Sequence, residues 1–225
     1  MTPSTPPPAG ITGASDLGTL IAALEAASSA EDLVQATRVL AGSRQPGAAG
    51  ALVKVLGFNN PGAAVMAVDG LIAIGSAAVP LLLEQLDPRN YGARAWAVRA
   101  LAGIGDVRGL ELLEEALATD VGPSVRRAAA CGLGRLELET LPADGRRAVQ
   151  ERCLAALEAA LSDGEWVVRY AVAVGLESLG CRLADDAHGL GRTRRALGQL
   201  LEPADPATPV VELRARLALN RLPAP

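Results

Sequence analysis

The chain has 225 residues with 50% hydrophobic side chains, yet only two Trp, two Tyr and one Phe, and a formal net charge of −4. An interior of Ala, Leu and Val favours closely packed helices over a β-sandwich or barrel, which would draw on β-branched and aromatic residues. The acidic balance, with a pI near 5.2, argues against a general nucleic-acid binder.

Residues 1–14 are rich in Pro, Gly and Thr and are expected to form a disordered tail. They lack the basic segment and apolar core of a secretory signal. A first helix is expected over LGTLIAALEAA (17–27), followed by a pair, EDLVQATRVLAGS (31–43) and GAAGALVKVLGF (47–58). From there the chain repeats itself. NPGAAVMAVDGLIAIG (60–75), NYGARAWAVRALAGIG (90–105), GPSVRRAAACGLGRL (122–136) and EWVVRYAVAVGLESLG (165–180) align with Leu71, Leu101, Leu133 and Leu176 in one column. The offsets are 30, 32 and 43 residues, and the last is lengthened by an insert, ELETLPADG (137–145).

Each copy is followed by a second helical pattern: 77–86, 107–117, 145–161 and 192–201. Asn60 and Asn90 stand where N-caps belong, and Gly75 and Gly105 where a left-handed C′ residue belongs. EPADPATP (202–209) reads as a loop before a weaker last copy, VVELRARLAL (210–219). Helix pairs repeating about every 30 residues specify an all-α fold, a right-handed α-α superhelix of HEAT-like repeats running from 15 to 222. No apolar run is expected to approach the roughly 18 residues needed to span a membrane.

The columns sort the side chains. Ala93, Ala97, Ala100, Leu101 and Ile104 fall on one face and form the packing stripe. The column Ala64, Arg94, Arg126, Arg169 borders it. Its arginines suit either a structural ladder between repeats or bidentate binding of ligand carboxylates. Tyr91 and Trp166 share a column, each three residues before an arginine, so ring and cation lie on one helix face. They could plug junctions between repeats or stack on a flat conjugated ligand. Trp96 lies at the margin of the core stripe. Asp69 and Arg99 share a further column, well away from the core centre, where an acid could meet the donors of a ligand or simply face solvent.

Glu111, Glu114 and Glu115 are expected on a charged outer face, and Arg126–Arg127 as a solvated or ladder feature. Cys131, Cys153 and Cys181 are three unpaired cysteines, suited to a reducing cytosol. His188, in a stretch that reads as a loop, is the single histidine. One His and three scattered Cys do not supply a zinc ligand set, and no P-loop, GxSxG or dinucleotide fingerprint occurs.

The motif xVRxxAAxxLGxIGD followed by VPxLLxxL resembles the HEAT-like repeat of phycobilisome lyases. GFNNPGAAVMAVDGL, NYGARAWAVRALAGIGD, SVRRAAACGLG and EWVVRYAVAVGLE together are similar to the F subunit of the E/F-type phycocyanobilin lyases of cyanobacteria. The likeness covers about residues 30–180. It implies a cytoplasmic protein paired with an E subunit, which attaches phycocyanobilin through a thioether to a cysteine of the phycocyanin α subunit. The bilin is then a substrate rather than a tightly bound cofactor, and neither metal, nucleic acid nor membrane is called for. Tyr91, Arg94, Trp96, Arg99, Asp69, Trp166 and Arg169 become candidate bilin contacts, with no catalytic residue assigned. The lyase-isomerases carry a His-Cys dipeptide, whereas Gly189 follows His188 here. A related di-iron hydroxylase needs several His-Glu pairs that this chain lacks. The alternative is a non-enzymatic HEAT-like protein that binds phycobiliproteins as a chaperone, a bilin-detachment factor or an agent of phycobilisome degradation.

Overall fold

Asn60 and Asn90 set the repeat. Each side chain accepts a 3.0 Å hydrogen bond from the backbone N–H three residues on, Ala63 or Ala93, and so caps its helix. Each also donates backwards, Asn60 to the Ala30 carbonyl and Asn90 to the Gly57 carbonyl, which ties both caps to the preceding repeat. A computed structural model describes residues 16–84, 89–184, 186–201 and 209–224. The expected tail at 1–14 and most of the loop at 202–209 fall outside the described residues.

Among these residues twelve α-helices follow one another: α1 (Leu17–Glu25), α2 (Ala30–Gly42), α3 (Ala49–Leu56), α4 (Pro61–Ile74), α5 (Val79–Glu84), α6 (Tyr91–Ile104), α7 (Leu110–Thr119), α8 (Pro123–Leu133), α9 (Ala143–Ala159), α10 (Trp166–Gly180), α11 (Ala187–Gln199) and α12 (Pro209–Arg221). Short 3₁₀ turns lead into α3, α5 and α7. Every expected helix is present. α8 stops at Leu133, three residues earlier than its pattern suggests, and His188 lies in the first turn of α11 rather than in a loop.

Even-numbered helices form one layer in which α2, α4, α6, α8, α10 and α12 pack each on the next; odd-numbered helices form the other and touch one another far less. The even layer is therefore the tighter, inner side of the array. Small residues make this approach available. A Cβ on Gly70 would lie 2.6 Å from the Ala41 Cβ of α2, and one on Gly132 would lie 2.7 Å from the Ala102 Cβ of α6. Between the layers runs one continuous core in which Leu71, Leu101, Leu133 and Leu176 are fully buried.

Two expectations change. Residues 61–84 are long and apolar enough, at mean hydropathy 2.0, to pass for a membrane span on composition. The chain turns at Gly75 and divides that stretch into α4 and α5, which pack Leu71, Val79 and Leu82 into the core. Gly105 adopts the left-handed conformation (φ 76°, ψ 10°), but Gly75 has φ 76° with ψ −143°, a different positive-φ geometry. The insert after α8 braces the preceding repeat. Its Glu137 N–H donates 2.7 Å to the Gly105 carbonyl, and Leu136 and Leu138 beside it are buried.

Candidate functional site

Four of the seven candidate contacts lie at the N-terminal edge of the inner layer. Tyr91 and Trp166 are the first residues of α6 and α10, and they are 48% and 43% exposed. The Tyr91 hydroxyl donates 3.0 Å to Asp120 Oδ1, which also accepts from the Gly122 N–H at 2.8 Å. Burial, and then the neighbouring Asp120 carboxylate, raise the phenol above its usual pKa. Arg94 reaches Glu115 of α7 at 2.9 Å. One repeat on, Arg126 donates to both carboxylate oxygens of Asp163 at 2.8 and 3.0 Å, and to the Asp120 carbonyl at 2.8 Å. Arg169 donates to the carbonyls of Asp163 (2.7 Å) and Gly164 (3.2 Å). Arg94 thus reaches the second helix of its own repeat, while Arg126 and Arg169 hold the turn before α10, so each arginine of this column already has a structural partner.

Trp96 and Arg99 are placed differently. They lie one helical turn apart on α6, and the Arg99 guanidinium stands 5.0 Å from the centre of the Trp96 ring, within cation–π range. Trp96 is partly buried and packs on the core from one side. Arg99 has no ion-pair partner among the described residues. Asp69, at the same repeat position on α4, is exposed. The inner face therefore offers a flat ring, an unsatisfied cation above it, and a carboxylate one helix away.

Following the same columns onto α8 and α10 brings in Arg127, Arg135 and Tyr170, which the sequence reading left outside the site, around Cys131, whose place in the Arg99 column the sequence already shows. Cys131 occupies the Arg99 position, with Arg127 and Arg135 one turn to either side. Burial pushes its thiol up, against the opposing pull of Arg135, Arg127 and Arg214. Tyr170 occupies the Arg127 position on α10, and the Arg214 guanidinium stands 5.9 Å from its ring centre. The repeat columns held this signal, since solvent-facing positions can be read as readily as the core stripe.

Two clefts of about 270 Å³ each open between odd-numbered helices. Glu114, Ala118, Ala156 and Asp163 line one, and Glu158, Arg192, Arg195 and Gln199 the other. Neither contains a candidate residue. They are gaps where the outer layer splays, and their acids are engaged: Glu114 pairs with Arg152, and Glu158 with Arg192. No group of three or more His, Cys, Asp or Glu suited to a metal occurs among the described residues. Chemically, the inner face can bind and orient a planar anion.

The HEAT-repeat family model matches residues 59–134 and 79–177. The chain is similar to the bilin biosynthesis protein RpcF of Synechococcus sp. (strain WH8020), 50% identical over 208 residues, 92% of this chain and 97% of the relative. It is also similar to the phycocyanin alpha phycocyanobilin lyase CpcF of Synechocystis sp., 56% identical over 160 residues, 71% of this chain and 75% of that one. Among solved structures, the complex of CpcE and CpcF of phycocyanin lyase from Nostoc sp. PCC7120 contains a chain that matches with a TM-score of 0.68. That match has 40% identity and covers 77% of this chain and 99% of that one.

Proposed function

We infer that this chain, which belongs to the HEAT-repeat family of phycocyanobilin lyase F-type (beta) subunits, is one half of a heterodimeric lyase. With its E-type partner it attaches phycocyanobilin through a thioether to a cysteine of the phycocyanin α subunit. The observation that carries this reading is likeness to phycocyanobilin lyase subunits, over 92% of this chain for one of them and over 77% for one solved in complex with its partner.

The acceptor cysteine supplies the sulfur, and its S–H adds across the activated side-chain double bond of the bilin. What the lyase contributes is then orientation and exclusion of wrong conformers. Within this chain we assign that role to the inner face, with the Trp96 indole and the Arg99 guanidinium over it as the surface on which the conjugated plane of the bilin rests. What supports the assignment is the 5.0 Å Trp96–Arg99 arrangement on a face with no internal ion-pair partner for Arg99 among the described residues. Tyr91, Arg94, Trp166 and Arg169 serve the edge of the same layer, where three of them already have protein partners. To Asp69, exposed one helix away, we assign the acceptor for pyrrole N–H groups. Phycocyanobilin enters as substrate, with no tightly bound cofactor, in the cytoplasm.

The test is co-expression with an E-type subunit, apo-α-phycocyanin and a bilin source, reading the acceptor's visible absorbance in acidic denaturant. Covalent bilin appearing only with both subunits present is the expected result. Ligation by this chain alone would remove the obligate pairing. A chromophore-free acceptor with both subunits folded and paired would favour the non-enzymatic phycobiliprotein binder.

A further inference from the structure

Charge on the inner face is unevenly satisfied. Many of the chain's arginines are engaged: Arg94, Arg108, Arg126, Arg152, Arg192, Arg214, Arg216 and Arg221 hold carboxylates, and Arg169, Arg182 and Arg194 hold backbone carbonyls. Arg127 and Arg135 are exposed and have neither a hydrogen-bond nor an ion-pair partner among the described residues. Both belong to α8 and its C-terminal turn, four residues to either side of Cys131, and both act on that thiol. Arg127 lies one turn before Cys131 on the same face of α8, and Arg135 follows in the turn after Leu133, where Gly134 keeps the αR backbone, so the two arginines stand about 12 Å apart along the helix.

This pair continues the stacked Trp96–Arg99 site. Arg99 lies at the Cys131 position of the preceding inner helix, and packed helices are about 8–10 Å apart. Arg99, Arg127 and Arg135 therefore form a triangle of cations with sides on the order of 10 Å. Trp96 borders it on α6 and Tyr170 on α10. In a chain of net charge −4, three unsatisfied guanidiniums on one face, with an aromatic ring at each side, form a surface for a flat dianion. A linear tetrapyrrole with two propionates is such a ligand.

Resting on the bilin reading above, we propose that Arg127 and Arg135 bind the propionate carboxylates of the bilin while Trp96 and Arg99 hold its conjugated plane. This makes α8 the specificity element for the acid side chains. The lengthwise spacing of its two arginines sets the direction in which the bilin lies along the groove. Cys131 between them serves as packing at the floor of the site.

The experiment uses the assembled heterodimer and two probes, phycocyanobilin and its dimethyl ester, which lacks the propionate charges. Dissociation constants are read from bilin absorbance or fluorescence titrations. The Arg127→Ala/Arg135→Ala double variant should weaken binding of the diacid by roughly tenfold, as expected for two partly exposed ion pairs, and leave the diester unchanged. Arg127→Lys/Arg135→Lys should keep most of the diacid affinity, and raised salt should erode the wild-type preference for the diacid. Equal loss for both probes, or no loss for either, would overturn the assignment to propionates. If the wild-type heterodimer binds neither probe, the bilin reading itself fails, a result distinct from a wild type that binds both and a variant that does not discriminate.

Discussion

Arg126→Ala should destabilise the fold by about 3 kcal/mol and leave the chemistry of the folded protein alone. The guanidinium makes bidentate bonds of 2.8 and 3.0 Å to Asp163 and a 2.8 Å bond to the Asp120 carbonyl. The two side chains of the pair are 16% and 10% exposed, so truncation strands a largely shielded carboxylate. Removing one member of a buried pair costs about 3–5 kcal/mol, and the remaining solvent contact brings the figure to the lower end. In a chain of this length that is a fall in Tm of roughly 6–12 °C.

The loss should depend on pH. Burial pushes the Asp163 carboxyl up, but bonds from Arg126 and the Glu165 N–H outweigh it and hold the group below its usual 3.8. A depressed carboxyl contributes stability above the unfolded-state pKa and loses it as pH falls through the folded value. The gap between wild type and variant should therefore be full near pH 7 and close below about pH 4. Urea unfolding at several pH values reads this directly, with Asp163→Asn completing a double-mutant cycle. A loss under about 1 kcal/mol at neutral pH, or one unchanged in acid, would refute the clamp.

Three further outcomes follow from the same geometry. Gly132→Ala places a methyl 2.7 Å from the Ala102 Cβ and should cost about 1–3 kcal/mol in urea unfolding by forcing α6 and α8 apart. Asn90→Ala removes the α6 cap and its tie to the Gly57 carbonyl, with an expected loss of about 1–2 kcal/mol by thermal melt. Alkylation at mildly alkaline pH should label exposed Cys181 first and Cys131 more slowly. Cys153, whose thiol burial pushes up to about 12, should react only on unfolding, as resolved by peptide mass mapping.

The repeat grammar made most of the fold legible. Leu71, Leu101, Leu133 and Leu176 define the core column in the sequence and are fully buried in the structure, because one helix period decides which side faces the next layer. Caps at Asn60 and Asn90 were equally readable. Gly75 shows the limit: a residue type selects positive φ but does not choose ψ. The site was legible in part. Sequence places Arg94, Arg126 and Arg169 in one column, but only coordinates reveal that Glu115 and Asp163 reach Arg94 and Arg126 from other helices and turns. Tyr170 and Arg135 escaped because they stand beside conspicuous neighbours, and Arg127 reads in the sequence as a solvated or ladder residue; the columns locate all three, but only the layered even helices bring them together.

The most direct test of the bilin-contact assignment compares ligation rates of two variant heterodimers. One carries Trp96→Leu with Arg99→Gln on the inner face, and the other carries Arg94→Gln with Arg169→Gln in the ladder. Each rate is taken per folded complex, from covalent bilin on α-phycocyanin in acidic denaturant. The inner-face variant should ligate roughly tenfold more slowly while still pairing with its partner, and the ladder variant should stay within about twofold of wild type once its lower stability is allowed for. The reverse order, with the ladder variant slowed and the inner-face variant unaffected, would contradict the assignment.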